Sequence, residues 1–315
     1  MNTVLKSVVI LMVNYKSSTY VSSCLASLDP EPVEQIIIVE NGSGEDEWLR
    51  LQEAVRGHAS KVRLVRSHVN LGFGAGVNFA SSYVNPDYAG LLWILNPDTT
   101  VTKGCVTSLA NRVVNGELDV VSPAIVTGPR TAPSVWFAGG VMDLAAGATR
   151  HMGYGGPLPS VAGIISSTFI TGAAPMISFE AWKKLDGFNE SLFLYWEDAD
   201  LSLRARNLGL SMGVDLDSLI WHEEGGSGED EGRSALYYFY MQKNRLIVSS
   251  PYSGLWSLLM GKGAKETGRL LLRPLREKQG RARKALASIR GLAAGIYAVR
   301  KQKVQDETMA LIGEK

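Results

Sequence analysis

Three carboxylates stand in four positions at Trp196-Glu197-Asp198-Ala199-Asp200, behind the aromatics Phe193, Tyr195 and Trp196. Like charges this close are costly, and an apolar flank raises a carboxylate's pKa, which suits a general base. The same residues also suit the positive end of a helix running to Leu208, with Asp200 pairing to Arg204 four residues on. Both readings hold together if the helix presents Asp198. A second candidate, Asn96-Pro97-Asp98, follows a buried apolar run. A carboxylate there can hold a divalent cation that bridges two phosphates, although the tripeptide alone is ordinary turn chemistry. A third, Trp221-His222-Glu223-Glu224, ends the short apolar stretch 218–220. A lone histidine is more often structural than a ligand. Imidazole beside carboxylate suits Mn²⁺ well and Mg²⁺ less well. The acidic loop 225–232 that follows is placed to order over a substrate.

Asn70-Leu71-Gly72-Phe73-Gly74-Ala75-Gly76 lacks the lysine of a P-loop and does not fit the dinucleotide fingerprint. Its glycines still allow phosphate or ribose to approach a helix N-terminus. No Ser-His-Asp or Cys-His nucleophile constellation is legible.

The elements that must position these residues alternate. Apolar runs at 7–13, 35–39, 62–65 and 89–95 read as parallel strands covered on both faces. Helical patterns at 17–28, 45–55 and from the glycine turn through Val84 separate them. The succession implies an α/β, open, doubly wound sheet, whose ligands bind beyond the carboxyl ends of its strands. Asn14-Tyr15, Glu40-Asn41 and Asn96-Pro97-Asp98 fall at those ends. The middle, 118–224, mixes short strands and loops with one clear helix at 178–185. From Tyr237 the pattern is helical and basic, so the expected division is a catalytic domain over 1–232 and a C-terminal helical basic extension over 233–315.

The 315 residues are 45% hydrophobic and 20% charged, with a net charge of +1 and two cysteines. That excludes a disordered chain and a disulfide scaffold. The charge is unevenly spread: 1–232 holds 15 basic and 26 acidic side chains, 233–315 holds 17 and 5. An acidic body without a reader motif argues against nucleic acid as partner. No signal peptide is legible, and the uncharged stretch 151–179 and the apolar stretch 246–261 are too broken or too short to span a bilayer. The basic tail reads as an amphipathic helix pair for an anionic membrane surface, with a helical homo-oligomerisation element, or a solvated helix packed on the catalytic body, as the alternatives. The expected location is the cytoplasm, peripheral on the inner face of the plasma membrane.

Taken together, the motifs resemble the inverting glycosyltransferases of family two, of glycosyltransferase A fold, over roughly residues 6 to 245. The nucleotide-sugar half is carried by Val13-Asn14-Tyr15, Val39-Glu40-Asn41-Gly42-Ser43, Asn70 to Gly74 and Leu95-Asn96-Pro97-Asp98. The acceptor half is carried by Thr171-Gly172-Ala173, Gly187-Phe188-Asn189-Glu190, Tyr195 to Leu201 and Trp221-His222. Within the family the chain is most similar to bacterial rhamnosyltransferases and galactofuranosyltransferases of cell-wall and O-antigen assembly. The resemblance implies that Asn14, Tyr15 and Glu40 contact the base and ribose of a nucleoside-diphosphate sugar, and that Asn70 and Phe73 line its pocket. It implies a divalent metal, Mn²⁺ or Mg²⁺, on Asp98 and His222, with Asn96 where the family's first Asp stands. Asp198 matches the general base, and Gly172, Ala173, Trp196 and Glu197 the acceptor side. Glu40 stands where an Asp is usual. The expected donor is dTDP-rhamnose and the expected acceptor a polyprenyl-diphosphate-linked saccharide. The alternatives are a UDP-galactofuranose or other UDP-hexose transferase, and a non-catalytic sugar-binding scaffold. A nucleotidyltransferase on a similar sheet would need a basic glycine-rich loop after the first strand, which Val13-Asn14-Tyr15-Lys16-Ser17 does not supply.

Overall fold

A computed structural model of the chain describes residues 6–223 and 232–313, with side chains to residue 305. The acidic loop expected to cover a substrate lies, but for Gly232, outside the described residues.

The apolar runs of the first hundred residues form β1 (Val8–Asn14), β2 (Gln35–Asn41), β3 (Val62–Ser67) and β4 (Leu91–Ile94). Val8 to Met12, Ile36 to Val39 and Leu91 to Ile94 are buried, because helices cover both faces of the sheet. The helices between them are α1 (Ser18–Leu28), α2 (Glu45–Val55) and α3 (Phe73–Ser81). β5 (Thr99–Val101), α4 (Cys105–Val114) and β6 (Val120–Thr127) follow. Then come β7 (Ser134–Phe137), the paired β8 (Gly140–Asp143) and β9 (Ala148–His151), β10 (Ile164–Ser166) and β11 (Met176–Ser178). α5 (Phe179–Leu185), α6 (Glu197–Asn207) and the long β12 (Met212–His222) complete this part.

The main sheet runs β10-β12-β6-β11-β4-β1-β2-β3, with β5 on β12 and β7 on β6. β3-β2-β1-β4 is parallel, as the alternating pattern predicts. β11 then enters antiparallel between β4 and β6, and β12 lies parallel to β6. These later strands are short or bulged, and their partners are far away in sequence, so local periodicity does not announce them.

The chain divides into two compact units. The first holds 1–141, 150–193 and 197–227; the second holds 142–149, 194–196 and 228–315. The second is helical: α7 (Ala235–Ser253), α8 (Leu255–Met260), α9 (Ala264–Leu272) and α10 (Arg281–Gly313). Gly291 and Gly295, one turn apart on α10, let it press on α7. A Cβ at Gly291 would meet the Phe239 carbonyl oxygen at 2.1 Å, and one at Gly295 the Lys243 carbonyl oxygen at 2.9 Å. Beside them Arg245 is wholly buried, donating to Gln242 Oε1, Thr267 Oγ1 and the Ala146, Gly147 and Leu258 carbonyls. Burial lowers its pKa to about 10. Among the described residues no helix is long and apolar enough to cross a membrane.

Candidate active site

Sheet register sets the first part of the site. Asn14 lies beside Glu40 and Glu40 beside Arg66, so β1, β2 and β3 end level. Asn14 is buried; its Oδ1 accepts from Ser17 Oγ (3.0 Å) and its Nδ2 donates to Glu47 Oε1 (3.2 Å). The same Glu47 oxygen accepts the Ser18 N–H (2.8 Å) at the start of α1. Burial alone would raise the Glu47 pKa, but these donors hold it low. Glu40 Oε1 accepts the Ser43 N–H (2.6 Å), while its buried Oε2, 3.7 Å from Arg66 Nε, has no hydrogen-bond donor. Ser43 Oγ in turn accepts the N–H of Lys16, a left-handed residue at φ 54°. Tyr15 is half-buried on the loop so fixed. Asn14 and Glu40 thus tie the two strand-end loops together.

Asn41, the next residue of β2, clamps the glycine turn. Its Oδ1 accepts the Leu71 N–H (3.0 Å), and its Nδ2 donates to the Gly72 carbonyl (3.0 Å) and to Asn70 Oδ1 (3.3 Å). Asn70 Oδ1 also accepts the Gly72 N–H (2.9 Å). Gly72 has φ 88°, and a Cβ there would lie 2.1 Å from the Phe193 carbonyl oxygen, so only glycine fits. That turn delivers Phe73, whose ring lies 5.7 Å from Phe188 and against Gly172.

The second part lies where β5 pairs antiparallel with β12, placing Thr99 opposite His222. His222 Nε2 comes within 3.5 Å of Asp98 Oδ1 and 3.4 Å of Asn96 Nδ2. Trp136 of β7 stacks on the imidazole at 4.7 Å and 16°. Burial raises the Asp98 pKa, and the His222 charge opposes that rise. Asp98 Oδ1 is buried without a hydrogen-bond donor. An unpartnered carboxylate oxygen beside an imidazole nitrogen fits a divalent cation. No group of three or more His, Cys, Asp or Glu is placed to hold one among the described residues. A cation held by these two protein donors would have to draw its remaining ligands from outside the described side chains.

The third part is the start of α6, where Glu197, Asp198 and Asp200 fill the first turn. Asp200 pairs with Arg204 at 2.7 Å, as its spacing predicts. Asp198 Oδ2 accepts the Gly172 N–H (3.2 Å) and Oδ1 accepts its neighbour Ala199's N–H (2.8 Å). Ile170, Pro175, Phe188 and Leu201 line an apolar pocket against it. Desolvation there outweighs the two N–H donors and raises its pKa to about 6. Asp198 as a residue is half-buried. Glu197 is buried and its pKa is raised as well, first by desolvation and then by the Asp198 charge. Tyr195 and Trp196, just before the helix, both have left-handed backbones, at φ 63° and 73°.

Gly172-Ala173 joins the second and third parts. The Ala173 carbonyl accepts the Asn96 N–H (2.9 Å) while the Gly172 N–H holds Asp198. A Cβ at Gly172 would lie 2.9 Å from Phe73 Cε1 and 3.6 Å from Asp198 Cβ. Phe73, Asp198 and the Asp98 turn therefore converge on this dipeptide. The sequence marks Asn41 as a strand end, but its clamp on the glycine turn and the stacking of Trp136 escape it, since amide clamps and ring stacking depend on partners distant in the chain. A larger open cleft of about 660 Å³, lined by Asn78, Trp182 and Arg204 among others, holds the Gly187 to Glu190 motif of the acceptor half but none of the residues expected to bind donor or metal or to act as base. The cysteines offer no nucleophile: burial pushes Cys24 up to about 12 and raises Cys105 as well.

This mixed, mostly parallel sheet with polar strand ends and helices on its faces is the glycosyltransferase A fold. The chain belongs to glycosyl transferase family 2, whose sequence model matches residues 7–183. No curated protein matches the sequence. Among solved structures it is similar to GalNAc-T7, crystallised with UDP, GalNAc and Mn²⁺, at 14% identity and a TM-score of 0.58, over 76% of this chain and 48% of that one. The chain thus spans about half the length of that relative. It is also similar to residues 1–349 of S. aureus TarS, at 14% identity and a TM-score of 0.51, over 94% of this chain and 92% of that one.

Proposed function

We propose that this glycosyltransferase is an inverting, metal-dependent enzyme. It moves a sugar from a nucleoside-diphosphate donor to a hydroxyl of a saccharide acceptor, with dTDP-rhamnose as the first donor to test and a polyprenyl-diphosphate-linked saccharide as acceptor. The observation that supports it is the Gly172-Ala173 bridge, which ties the Asp98 turn and the Asp198 carboxylate to one short segment. A cation site and a base so linked match the two ends of a displacement at an anomeric carbon.

Asp98 and His222 would hold the cation, which supplies charge neutralisation for the departing diphosphate. Asp198 takes the proton from the acceptor hydroxyl as that oxygen bonds to the anomeric carbon; the bond to the diphosphate oxygen breaks and its electrons leave with the nucleotide. The Gly172 and Ala199 N–H groups fix the carboxylate's rotation, so its free lone pairs face one direction. Apolar surroundings keep it basic enough to accept a proton near neutral pH. Phe73, Asn14, Tyr15 and Glu40 line or order the donor side, and Trp196 and Glu197 the acceptor side.

Calorimetric binding of a panel of nucleotide sugars, with and without Mn²⁺, tests this reading. Metal-dependent tightening by one deoxythymidine- or uridine-linked sugar supports it and names the donor. If the folded protein binds none of them with metal present, the donor assignment is wrong.

A further inference from the structure

We propose that one face of α10 docks on an anionic lipid bilayer. In the helical region before residue 281, Glu266 and Glu277 are the acidic residues, and both are engaged in ion pairs, Glu266 with Arg269 and Glu277 with Lys284. From 281 to 305, α10 carries seven basic residues and no carboxylate, and Asp306 and Glu307 follow in the sequence. At about 100° per residue, Leu286, Ile289, Ala293 and Tyr297 fall within about 80° of one another around the helix. Three of them are large apolar side chains left in solvent: Leu286 is 47% exposed, Ile289 56% and Tyr297 69%.

The opposite side of the helix is the packed one. Lys284 and Ser288 are buried, Ser288 Oγ donates to the Leu270 carbonyl (2.9 Å), and Gly291 and Gly295 press on α7. The exposed stripe is therefore no spare part of the helical core. Arg283, Arg290 and Lys301 border one side of the stripe and Lys303 the other, while Arg300 stands within it, all exposed. An apolar stripe between two basic margins is the pattern of a helix lying in a bilayer surface, with its rings and methyls among acyl chains and its cations at phosphate level. On α8 the unit also exposes Trp256 (75%) and, one turn on, Met260, the side-chain types that favour that depth.

Charge selects the bilayer over a second copy of the chain. Two copies facing each other through this stripe would set Arg283, Arg290, Arg300 and Lys301 against the same cations, with no carboxylate on this stretch to pair them. An anionic headgroup layer neutralises all four. This inference does not rest on the transferase reading, since lipid binding and sugar transfer are measured separately.

The test is flotation of the full chain with vesicles of phosphatidylcholine, with or without phosphatidylglycerol. Binding is expected only to the anionic vesicles, and it should fall steeply as NaCl rises from about 0.1 M to about 0.5 M. Each basic residue near the surface contributes about fivefold, so Arg290→Glu with Arg300→Glu should weaken partition by well over tenfold. Ile289→Ser with Tyr297→Ser should also abolish flotation, while the melting temperature and metal-dependent nucleotide-sugar binding stay as in the parent. Equal binding to neutral and anionic vesicles, or anionic binding that survives both double variants, would overturn the proposal. So would a solution dimer that Ile289→Ser with Tyr297→Ser dissociates, which would make the stripe a contact between copies.

Discussion

At neutral pH the Asp198 carboxylate is charged against the preference of its surroundings. Its folded pKa is about 6, against 3.8 for the free side chain. The folded state therefore keeps this proton to higher pH than the unfolded state. Stability from this group falls as pH rises from about 4 to about 6, and the penalty is complete above that window. At about 1.4 kcal/mol per pKa unit, and allowing for the residue's partial exposure, the penalty is about 2 kcal/mol. Asp198→Asn should then raise the melting temperature by about 2–4 °C at pH 7.5, with the gain vanishing near pH 4. The same variant should abolish transfer and leave donor binding intact, and wild-type turnover in it would remove Asp198 as the base. In the parent, kcat should fall below about pH 6 as Asp198 takes up its proton. Glu197→Gln should move that acid limb little, because desolvation comes first among the causes that raise both carboxylates. A limb displaced by a full unit would show that the pair shares its charge differently. His222→Ala should remove most of the Mn²⁺ dependence of donor binding, and an unchanged dependence would take His222 out of the cation site.

Elements bring these residues together by pairings of very different range. A bulge in β12 shifts its register on β6 between Asp215 and Leu219, and the shifted end carries His222 to Thr99. The bulge is held by Asp215, wholly buried, which accepts from Ser108 Oγ (2.6 Å), Ser218 Oγ (2.6 Å) and Arg112 Nη2 (3.1 Å). Arg112→Ala strips the cation from a buried carboxylate and should cost about 3 kcal/mol, read as a lower urea midpoint. It should also weaken Mn²⁺-dependent donor binding, because the strand that positions His222 loses its anchor; a stability loss with unchanged metal dependence would separate the two. The contrast explains what a sequence can say. β1 to β4 and α1 to α3 are legible because each is a local pattern, an apolar run or an amphipathic period, and polar residues stop the strands where ligands bind. Of β12 only its last apolar residues, 218–220, stand out, and nothing local tells that they pair with 99–101. Glu197, Asp198 and Asp200 show as a cluster of charge, but the Gly172 N–H that orients Asp198 lies 26 residues away.

At the scale of the whole molecule, the second unit is assembled from three separate stretches, and its short ones matter. Its residues 194–196 lead directly into Glu197 and Asp198 in the chain. Tyr195 and Trp196 are consecutive left-handed residues without a glycine, each costing about 1 kcal/mol or more. A conformation of that cost persists only when neighbours over-determine it. Asn244 of α7, wholly buried, supplies that constraint: its Nδ2 donates to the Leu194 carbonyl (3.0 Å) and to the Tyr195 carbonyl (2.8 Å). The helical unit is thereby a holder of the turn from which α6 starts. Asn244→Ala in the full chain should lower kcat at least tenfold, because losing these buried bonds costs about 1–3 kcal/mol of hold on the turn. Mn²⁺-dependent donor affinity should stay near that of the parent, since Asp98, His222 and the β1 and β2 loops make no bond to Asn244. A chain ending at Gly232 should show the same split if it folds, with donor binding retained and transfer lost. Equal losses of donor affinity and turnover in the Asn244 variant would mean that the turn is only structural, and full turnover would mean that the left-handed pair holds without its clamp.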